Sequence, residues 1–338
     1  MSFTLEMVED FKNNTKRQEK TNLPWTEKFR PKIISDVISN QNIVEAINGY
    51  IHRKNFPHLL FCGPSGTGKT SLIIAAAKQL YGNYFNIMTI HINASEERGI
   101  EVIRNKVKHF SSAMNFTCKD IPFKLVILDE ADAMTTTAQA MLRRMIEDYT
   151  SSVRFCLICN KLKNIDPAIQ SRCTNFRFSP LDDSDVYNHL VKLCNNENIY
   201  YEKSGLKMLI KISNGDMRKV FNNLQSVFMG YGKITEHSVS SSTNYPTSND
   251  IEKIYETANK TSLNDALETI SEIINSNQYS MLDIINEVHD RVKNDFMNDN
   301  ISFDKFQSVL SKLKLVEMNT LITISNELLI ASFVASFY

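Results

Sequence analysis

The stretch Phe61–Thr70, FCGPSGTGKT, constrains the fold of this chain more than any other. It fits the pattern G-x-x-x-x-G-K-[ST] and lies between a short apolar run and an Ala- and Leu-rich segment. Strand, glycine loop and helix in that order predict a phosphate-binding loop, because the glycines let successive backbone N–H groups face one concavity at a helix N-terminus. An ordinary Gly-rich turn is the alternative, and the full motif in this context disfavours it.

This loop predicts a binding site for a nucleoside triphosphate. Lys69 is expected to reach the β- and γ-phosphates, and the Thr70 hydroxyl is expected to hold Mg²⁺. The other loop positions are expected to surround the phosphate chain: Gly63, Pro64, Ser65, Gly66, Thr67, Gly68 and Ser71.

A second apolar run, Phe123–Asp129, ends in the acidic pair Asp129-Glu130. Downstream of a phosphate-binding loop, this is the Walker B pattern. In a doubly wound parallel sheet such carboxylates emerge at the carboxyl ends of the strands, where these folds bind ligands. We expect Asp129 to hold Mg²⁺ and Glu130 to polarise an attacking water. The two motifs predict an α/β P-loop ATPase.

Two polar residues follow the next predicted strands. Asn160 ends the buried run Ser152–Cys159, where its amide either bonds the attacking water or γ-phosphate, or simply closes the strand. Arg172 precedes the short run Thr174–Phe178. It is either a surface arginine or an arginine finger for the γ-phosphate of a neighbouring molecule. The residues alone favour the surface arginine.

The segment Leu23–Pro31 has two prolines and the only tryptophan of the chain. Its prolines predict an extended, stiff segment. Two placements stay open: a strap across the domain surface, or a border of the site for the nucleotide base.

Composition sets outer limits. The 338 residues include 42% hydrophobic and 22% charged side chains with a formal net charge of +0, typical of a soluble protein with more than one domain. Nucleic-acid contact would therefore need a local basic patch.

Six cysteines and an opening stretch unlike a secretory signal predict a reducing compartment, and Cys156 and Cys159 are expected to be buried in a strand. We expect neither a structural metal nor a membrane span.

Taken together, the motifs resemble the AAA+ clamp-loader small subunits of eukaryotic replication factor C. The resemblance covers about Leu23 to Phe228 and rests on LPWTEKFRP, HLLFCGPSGTGKTS, INASEERGI, LVILDEADAMT, RFCLICN, SRC and SNGDMR. One departure is Ser65, which stands where the family usually has a second proline.

The resemblance implies an AAA+ architecture with a doubly wound parallel sheet, a small helical lid and an all-α collar. The residues themselves predict a flexible arm at 1–22 from its polar composition, a linker at 233–250 from its Ser, Thr, Asn and Gly, and an all-helical part at 251–338 from its helix-spaced apolar residues. With the resemblance, the ATPase domain is expected at 23–180, the lid at 181–232 and the collar at 251–338.

It also implies roles for individual residues. Asn160 takes the sensor-1 place, Arg172 the arginine-finger place acting in trans, and Arg218 the sensor-2 place. Thr26, Arg30 and Val37 are implied near the adenine or the phosphates. Arg98, Arg104 and Lys108 form a basic stripe that, on its residues alone, reads as a solvated helix face. In the family such helices follow the DNA backbone, so the resemblance implies DNA contact.

The function implied is that of a nuclear ATPase subunit that opens the sliding clamp PCNA and loads it on primer-template DNA, with ATP and Mg²⁺ as cofactors. Its partners would be sister subunits in a heteropentamer, PCNA and DNA, without a membrane. Two alternatives remain: another AAA+ remodeller, such as a branch-migration motor, or a structural subunit that binds ATP to hold a ring together. Glu130 and Arg172 argue against the structural subunit.

Overall fold

A computed structural model describes residues 23–38, 40–96, 100–112, 121–320, 322 and 325–338. The chain divides into two compact units. The first unit ends at Leu193 and also includes Ser213–Gln225, and the second comprises Cys194–Ile212 and Ser226–Tyr338. The predicted arm at 1–22 lies outside the described residues. The predicted domain boundaries stay predictions.

The first unit is built on a five-stranded sheet with the order β2-β3-β4-β1-β5. All its strand pairs are parallel, and Cys62 lies opposite Cys159 just as Asn93 lies opposite Asp129. The carboxyl ends of the strands therefore reach one edge of the sheet, and the predicted doubly wound parallel sheet is confirmed. The strands are β1 (Leu59–Cys62), β2 (Thr89–Asn93), β3 (Lys124–Asp129), β4 (Val153–Cys159) and β5 (Thr174–Arg177).

Helices follow or precede these strands along the chain. They are α1 (Trp25–Lys28), α2 (Gln41–His52), α3 (Lys69–Tyr81), α4 (Phe85–Met88), α5 (Ile100–Ser112), α6 (Thr136–Asp148), α7 (Pro167–Gln170), α8 (Asp183–Asn196), α9 (Lys203–Ser213) and α10 (Met217–Tyr231). Short 3₁₀ turns lie at Ile34–Asp36, Gly82–Tyr84, Ala131–Ala133 and Leu162–Asn164.

Both faces of the sheet are buried. Successive side chains of a strand point to opposite faces, so Leu59 and Phe61 join one apolar cluster and Leu60 joins the other. Burial on two sides explains why these strands are continuous apolar runs in the sequence. The first cluster includes residues of α2 and α3 and the second includes residues of α5 and α6, among them Ile47, Leu72, Ile103 and Leu142. Cys156 and Cys159 are buried in β4, as predicted.

Two local predictions were wrong. The segment predicted to be extended after Leu23 contains the helical turn α1, because Pro24 precedes its first residue with a φ of −52°, where a missing N–H is tolerated. The predicted linker 233–250 contains a strand and helices instead. There Thr235 and Ser238 form a reciprocal capping box, so the hydroxyl-rich composition supplies helix caps rather than a flexible connection.

The second unit is mostly helical, as predicted for the C-terminal part of the chain. Besides α9, it contains β6 (Tyr200–Tyr201), which precedes α9 and pairs in parallel with β7 (Lys233–Ile234), and then α11 (Glu236–Thr243), α12 (Ser248–Lys260), α13 (Leu263–Asn277), α14 (Met281–Met297), α15 (Phe303–Thr320) and α16 (Asn326–Ala335). Helices α12 to α16 share one apolar core that includes Ile254, Ile270, Val288, Val316 and Phe333. Within the described part of the chain, no helix is both long and apolar enough to cross a membrane.

Candidate nucleotide site

The phosphate-binding loop connects the carboxyl end of β1 to the first turn of α3. Gly66 and Gly68 have φ angles of +68° and +86°, a backbone conformation that L side chains rarely adopt. Gly68 directly precedes α3, so the turn brings the free backbone N–H groups of the helix start to the loop. These glycines give the loop the shape that a phosphate chain requires.

A cavity of about 520 Å³ opens over this loop. Its volume lies in the ordinary range for small-molecule sites. Most of the residues predicted for the site line it: Thr26, Arg30, Val37, Ser65, Gly66, Thr67, Gly68, Lys69, Thr70, Ser71, Asp129, Glu130, Asn160 and Arg218. The structure therefore brings together residues from distant parts of the sequence.

Lys69 is buried at the base of the loop. Its Nζ donates hydrogen bonds to the carbonyl oxygens of Gly63, at 2.7 Å, and Pro64, at 2.6 Å, and lies 3.3 Å from Asn160 Oδ1. Burial lowers the pKa of Lys69, and the nearby Arg218 adds to that effect, whereas Asp129 opposes it. An anion in the cavity would favour the charged form of this ammonium group.

Thr70 and Asp129 meet at the same place. Thr70 Oγ1 donates to Asp129 Oδ2 at 2.8 Å, and His91 Nε2 lies 3.5 Å from the same oxygen. Burial alone would raise the pKa of Asp129, but hydrogen bonds from His91, Thr70 and the backbone of Glu130 outweigh it and hold the pKa below its ordinary value. The carboxylate is thus kept ionised. Sequence reasoning missed His91, which lines the cavity from β2.

Glu130 follows β3 and is exposed. Its φ of +54° is rare for a residue with a side chain, and its backbone N–H donates to Asp129 Oδ1 at 3.0 Å. Unusual backbone conformations of this kind concentrate at functional sites.

Asn160 is held by a residue whose role the sequence did not reveal. Asp132 Oδ2 accepts hydrogen bonds from the backbone N–H groups of Asn160, at 3.1 Å, and Lys161, at 3.0 Å. One carboxylate thereby fixes the end of β4 next to the 3₁₀ turn that follows β3. A lone Asp after an acidic pair carries no sequence signal for this contact.

The segment around Trp25 borders the cavity. Thr26, Phe29 and Arg30 line the cavity, and Trp25 itself is 7% exposed. The Trp25 and Phe29 rings are 5.6 Å apart between centroids, and Phe29 lies 5.8 Å from the ring of Phe221 on α10. These aromatic contacts join the segment to α10 beside Arg218.

Other predicted residues lie elsewhere. Arg172 does not line the cavity; its Nη2 lies 2.7 Å from Glu147 Oε1, and its Nη1 donates to the carbonyl oxygen of Ala168 at 2.7 Å. Arg104 and Lys108 are exposed on α5 and do not line the cavity either. Arg98 lies outside the described residues.

Comparison with known proteins adds family relationships to this geometry. Residues 59–181 match the ATPase family associated with various cellular activities (AAA), and residues 246–336 match the replication factor C C-terminal domain. A probable replication factor C subunit 5 from Dictyostelium discoideum is 40% identical over 97% of this chain and 94% of its own length. Replication factor C subunit 5 from Mus musculus is 45% identical over 79% of each chain.

Among solved structures, the Holliday junction branch migration motor RuvB from Thermotoga maritima is similar with a TM-score of 0.53. The match covers 72% of this chain and 85% of RuvB at 15% identity. At that identity the similarity concerns the fold alone.

Proposed function

The chain belongs to the replication factor C family of clamp-loader AAA+ ATPases, and from that premise we propose that it opens the sliding clamp PCNA and loads it on primer-template DNA. Its own activity is ATP hydrolysis. One observation carries the proposal: a full set of ATPase side chains lines one cavity, whereas Arg172, which such a site needs, lies outside it.

ATP binding follows from the loop and from Lys69. The backbone N–H groups at the start of α3 face the phosphates, where the helix dipole favours negative charge. The Lys69 ammonium, now bonded to carbonyl oxygens of Gly63 and Pro64, transfers its donors to the β- and γ-phosphate oxygens. Thr26, Arg30 and Val37 border the same cavity and contact the remainder of the nucleotide.

Thr70 and Asp129 suit a magnesium ion. Their side-chain oxygens are 2.8 Å apart, and the Asp129 carboxylate is held in its charged form. Oxygen donors from one hydroxyl and one carboxylate, with room for water and phosphate oxygens, are what Mg²⁺ prefers in ATPases. A magnesium ion held by Thr70 and Asp129 would supply positive charge that offsets the negative charge of the triphosphate.

Hydrolysis needs a positioned water. The Glu130 carboxylate emerges beside Asp129 and accepts a hydrogen bond from the water that attacks the γ-phosphate. The Asn160 amide, fixed by Asp132 through the backbone, orients the same water or the γ-phosphate. Glu130 and Asn160 are therefore the residues we assign to catalysis within this chain, together with Lys69 and Arg218.

Arg172 acts on a neighbouring subunit. Its guanidinium is held by Glu147 and by the Ala168 carbonyl, which fixes its direction without using all its donors. A guanidinium placed on the γ-phosphate of an adjacent subunit stabilises the charge of the transition state. An adjacent subunit is then a necessary partner, because no single chain holds a complete site, and the family relationship favours sister subunits in a heteropentamer.

Contact with DNA comes from the exposed face of α5. Arg104 and Lys108 are one helical turn apart and lie free of the nucleotide cavity. Contacts from such residues go to phosphates and read no base sequence, which suits a protein that must act on any primed template in the nucleus.

The test is ATPase activity of the chain co-expressed with its sister subunits, with and without primed DNA and PCNA. We expect DNA together with PCNA to stimulate the ATPase activity of the complex. We expect this stimulation to be lost in both Lys69→Ala and Arg172→Ala. Matched controls are Lys78→Ala, an exposed lysine on α3, and Arg177→Ala, an exposed arginine at the end of β5. Activity of the chain by itself, indifferent to PCNA and to Arg172, would contradict the proposal.

The DNA role has a separate measurement. Replacing Arg104 and Lys108 by Ala is expected to reduce the slope of log affinity against log salt by about 2, close to one per lost phosphate contact. The control replaces Lys207 and Lys253, which are exposed on α9 and α12. An unchanged slope would remove this helix from the DNA-binding surface.

A further inference from the structure

One carboxylate connects the phosphate-binding loop to the first turn of α10. Ser65 Oγ donates a hydrogen bond to Asp216 Oδ2 at 2.6 Å. The other oxygen of Asp216, Oδ1, accepts from the backbone N–H groups of Arg218, at 2.9 Å, and Lys219, at 3.3 Å. Asp216 therefore caps α10 and holds Ser65 at the same time.

The backbones of the loop and the helix are also in direct contact. The Met217 N–H donates to the carbonyl oxygen of Gly66 at 3.2 Å. A Cβ added at Gly66 would lie 1.8 Å from Asp216 Oδ1 and 2.8 Å from the Met217 nitrogen. Only glycine allows this approach, so the loop and α10 fit against each other at Gly66.

This junction lies directly next to Arg218. Arg218 is two residues beyond Asp216, and its own N–H is bonded to the Asp216 carboxylate. Arg218 and Lys69 line the same cavity. Two cations, Arg218 and Lys69, therefore lie at the cavity. The first turn of α10, which carries Arg218, is held by its contact with the phosphate-binding loop, which leads into Lys69.

We propose that Ser65 and Asp216 are positioning residues for ATP binding. Their hydrogen bond holds the first turn of α10 against the loop, so that Arg218 already faces the phosphate chain before the nucleotide arrives. A bond from a hydroxyl to a carboxylate is stronger than one between neutral groups, and a fixed arginine loses less conformational freedom on binding. The inference rests on the proposed role of Arg218 at the phosphates.

The test measures binding of a fluorescent ATP analogue to the full chain. Ser65→Ala removes the hydroxyl and is expected to weaken binding about tenfold, the factor that corresponds to about 1.4 kcal/mol. Ser65→Thr keeps a hydroxyl donor and is expected to bind as the unsubstituted chain does. The control Ser276→Ala removes a hydroxyl that bonds the Ile273 carbonyl on α13, and it should leave binding unchanged.

A double substitution separates action through Arg218 from a direct effect on the loop. With Arg218→Ala already present, Ser65→Ala is expected to weaken binding no further, because the arginine that it positions is gone. Equal weakening in both backgrounds, or no weakening by Ser65→Ala, would overturn the positioning role. If Arg218→Ala alone left binding unchanged, the proposed role of Arg218 would fail, and this inference with it.

Amide hydrogen exchange gives a readout without bound nucleotide. The N–H of Met217 is expected to exchange several-fold faster in Ser65→Ala than in Ser65→Thr, because the turn is released from Gly66. Equal exchange in the two variants would show that the hydroxyl does not hold this turn.

Discussion

Thr70 Oγ1 and Asp129 Oδ2 lie 2.8 Å apart, although the two residues follow or end strands that are not adjacent in the sheet. Thr70 is in the first turn of α3, after β1, and Asp129 ends β3, with β4 between the two strands. The phosphate-binding loop and the end of β3 meet because all five strands of the sheet are parallel. The loop turns back over the edge of the sheet at which the strands have their carboxyl ends. The pair is the centre of the proposed magnesium site.

Asp129→Asn is expected to lower ATP hydrolysis in the assembled complex by at least about a hundredfold, because the charge that would hold Mg²⁺ is removed while the side-chain shape stays. The measurement is ATPase rate against Mg²⁺ concentration. The matched control is Asp148→Asn, an exposed carboxylate on α6. An Asp129→Asn rate equal to that of the control would rule out the magnesium role.

Asp132→Ala is expected to reduce hydrolysis about tenfold to a hundredfold and to leave ADP binding nearly unchanged. It leaves the backbone N–H groups of Asn160 and Lys161 without their acceptor, so the Asn160 amide is no longer fixed. Asp132→Asn keeps an acceptor oxygen and should retain most of the activity. The measurement pairs ATPase rates with ADP affinity. If Asp132→Ala and Asp132→Asn lost hydrolysis equally, or if ADP binding fell in parallel, the role of Asp132 in holding Asn160 would be contradicted.

His58 predicts a pH dependence of stability. Its Nδ1 accepts the backbone N–H of Phe155 at 3.2 Å, and burial together with the charge of Arg154 lowers its pKa from 6.5 to about 4. Between these two pKa values the unfolded chain binds a proton that the folded chain does not. The contribution of His58 is therefore complete above pH 6.5 and is lost as the pH falls towards about 4.

The measurement for His58 is the urea midpoint at several pH values across this window. His58→Asn keeps an acceptor but has no proton to gain, so its midpoint should fall less steeply on acidification than that of the unsubstituted chain. The exposed His52 on α2 provides the control, and His52→Asn should keep the original slope. Identical slopes for all three proteins would refute the assignment.

Glu287 is expected to stabilise the second unit. Its Oε1 accepts from the Tyr245 hydroxyl at 2.5 Å, and its Oε2 lies 2.6 Å from Lys211 Nζ, which also contacts Asp290. Burial and the bond to Glu287 raise the pKa of Tyr245. Glu287→Ala should lower the free energy of unfolding by about 2 kcal/mol, because two polar partners lose their hydrogen bond.

Denaturant unfolding of Glu287→Ala measures this effect. The control is Glu268→Ala, an exposed glutamate on α13 that should change stability by less than about 0.5 kcal/mol. Glu287→Gln keeps an acceptor for Tyr245, so its free energy of unfolding should lie between those of Glu287→Ala and Glu268→Ala. A Glu287→Ala variant as stable as the control would show that the network contributes nothing.

Residues close together in the sequence were predicted best. Lys69 and Thr70 belong to one loop whose glycines, flanking strand and helix are contiguous, and Asp129 with Glu130 ends an apolar run of strand length. The segment after Leu23 was predicted wrongly, because two prolines restrict φ but still permit a helical turn. The hydroxyl-rich stretch at 233–250 was also misjudged, since Ser and Thr serve linkers and helix caps alike.

The sequence by itself determined the sheet, the phosphate-binding loop and most of the side chains that line its cavity, since apolar runs and loop conformation depend on neighbouring residues. Tertiary structure alone decided which side chains support them. Ser65 and Asp216 are 151 positions apart, and nothing in the sequence assigns a hydrogen-bond partner to His91 or Asp132. Such contacts arise only when packing of the helices on the sheet brings separate segments within hydrogen-bonding distance, and no local preference of the chain encodes that distance.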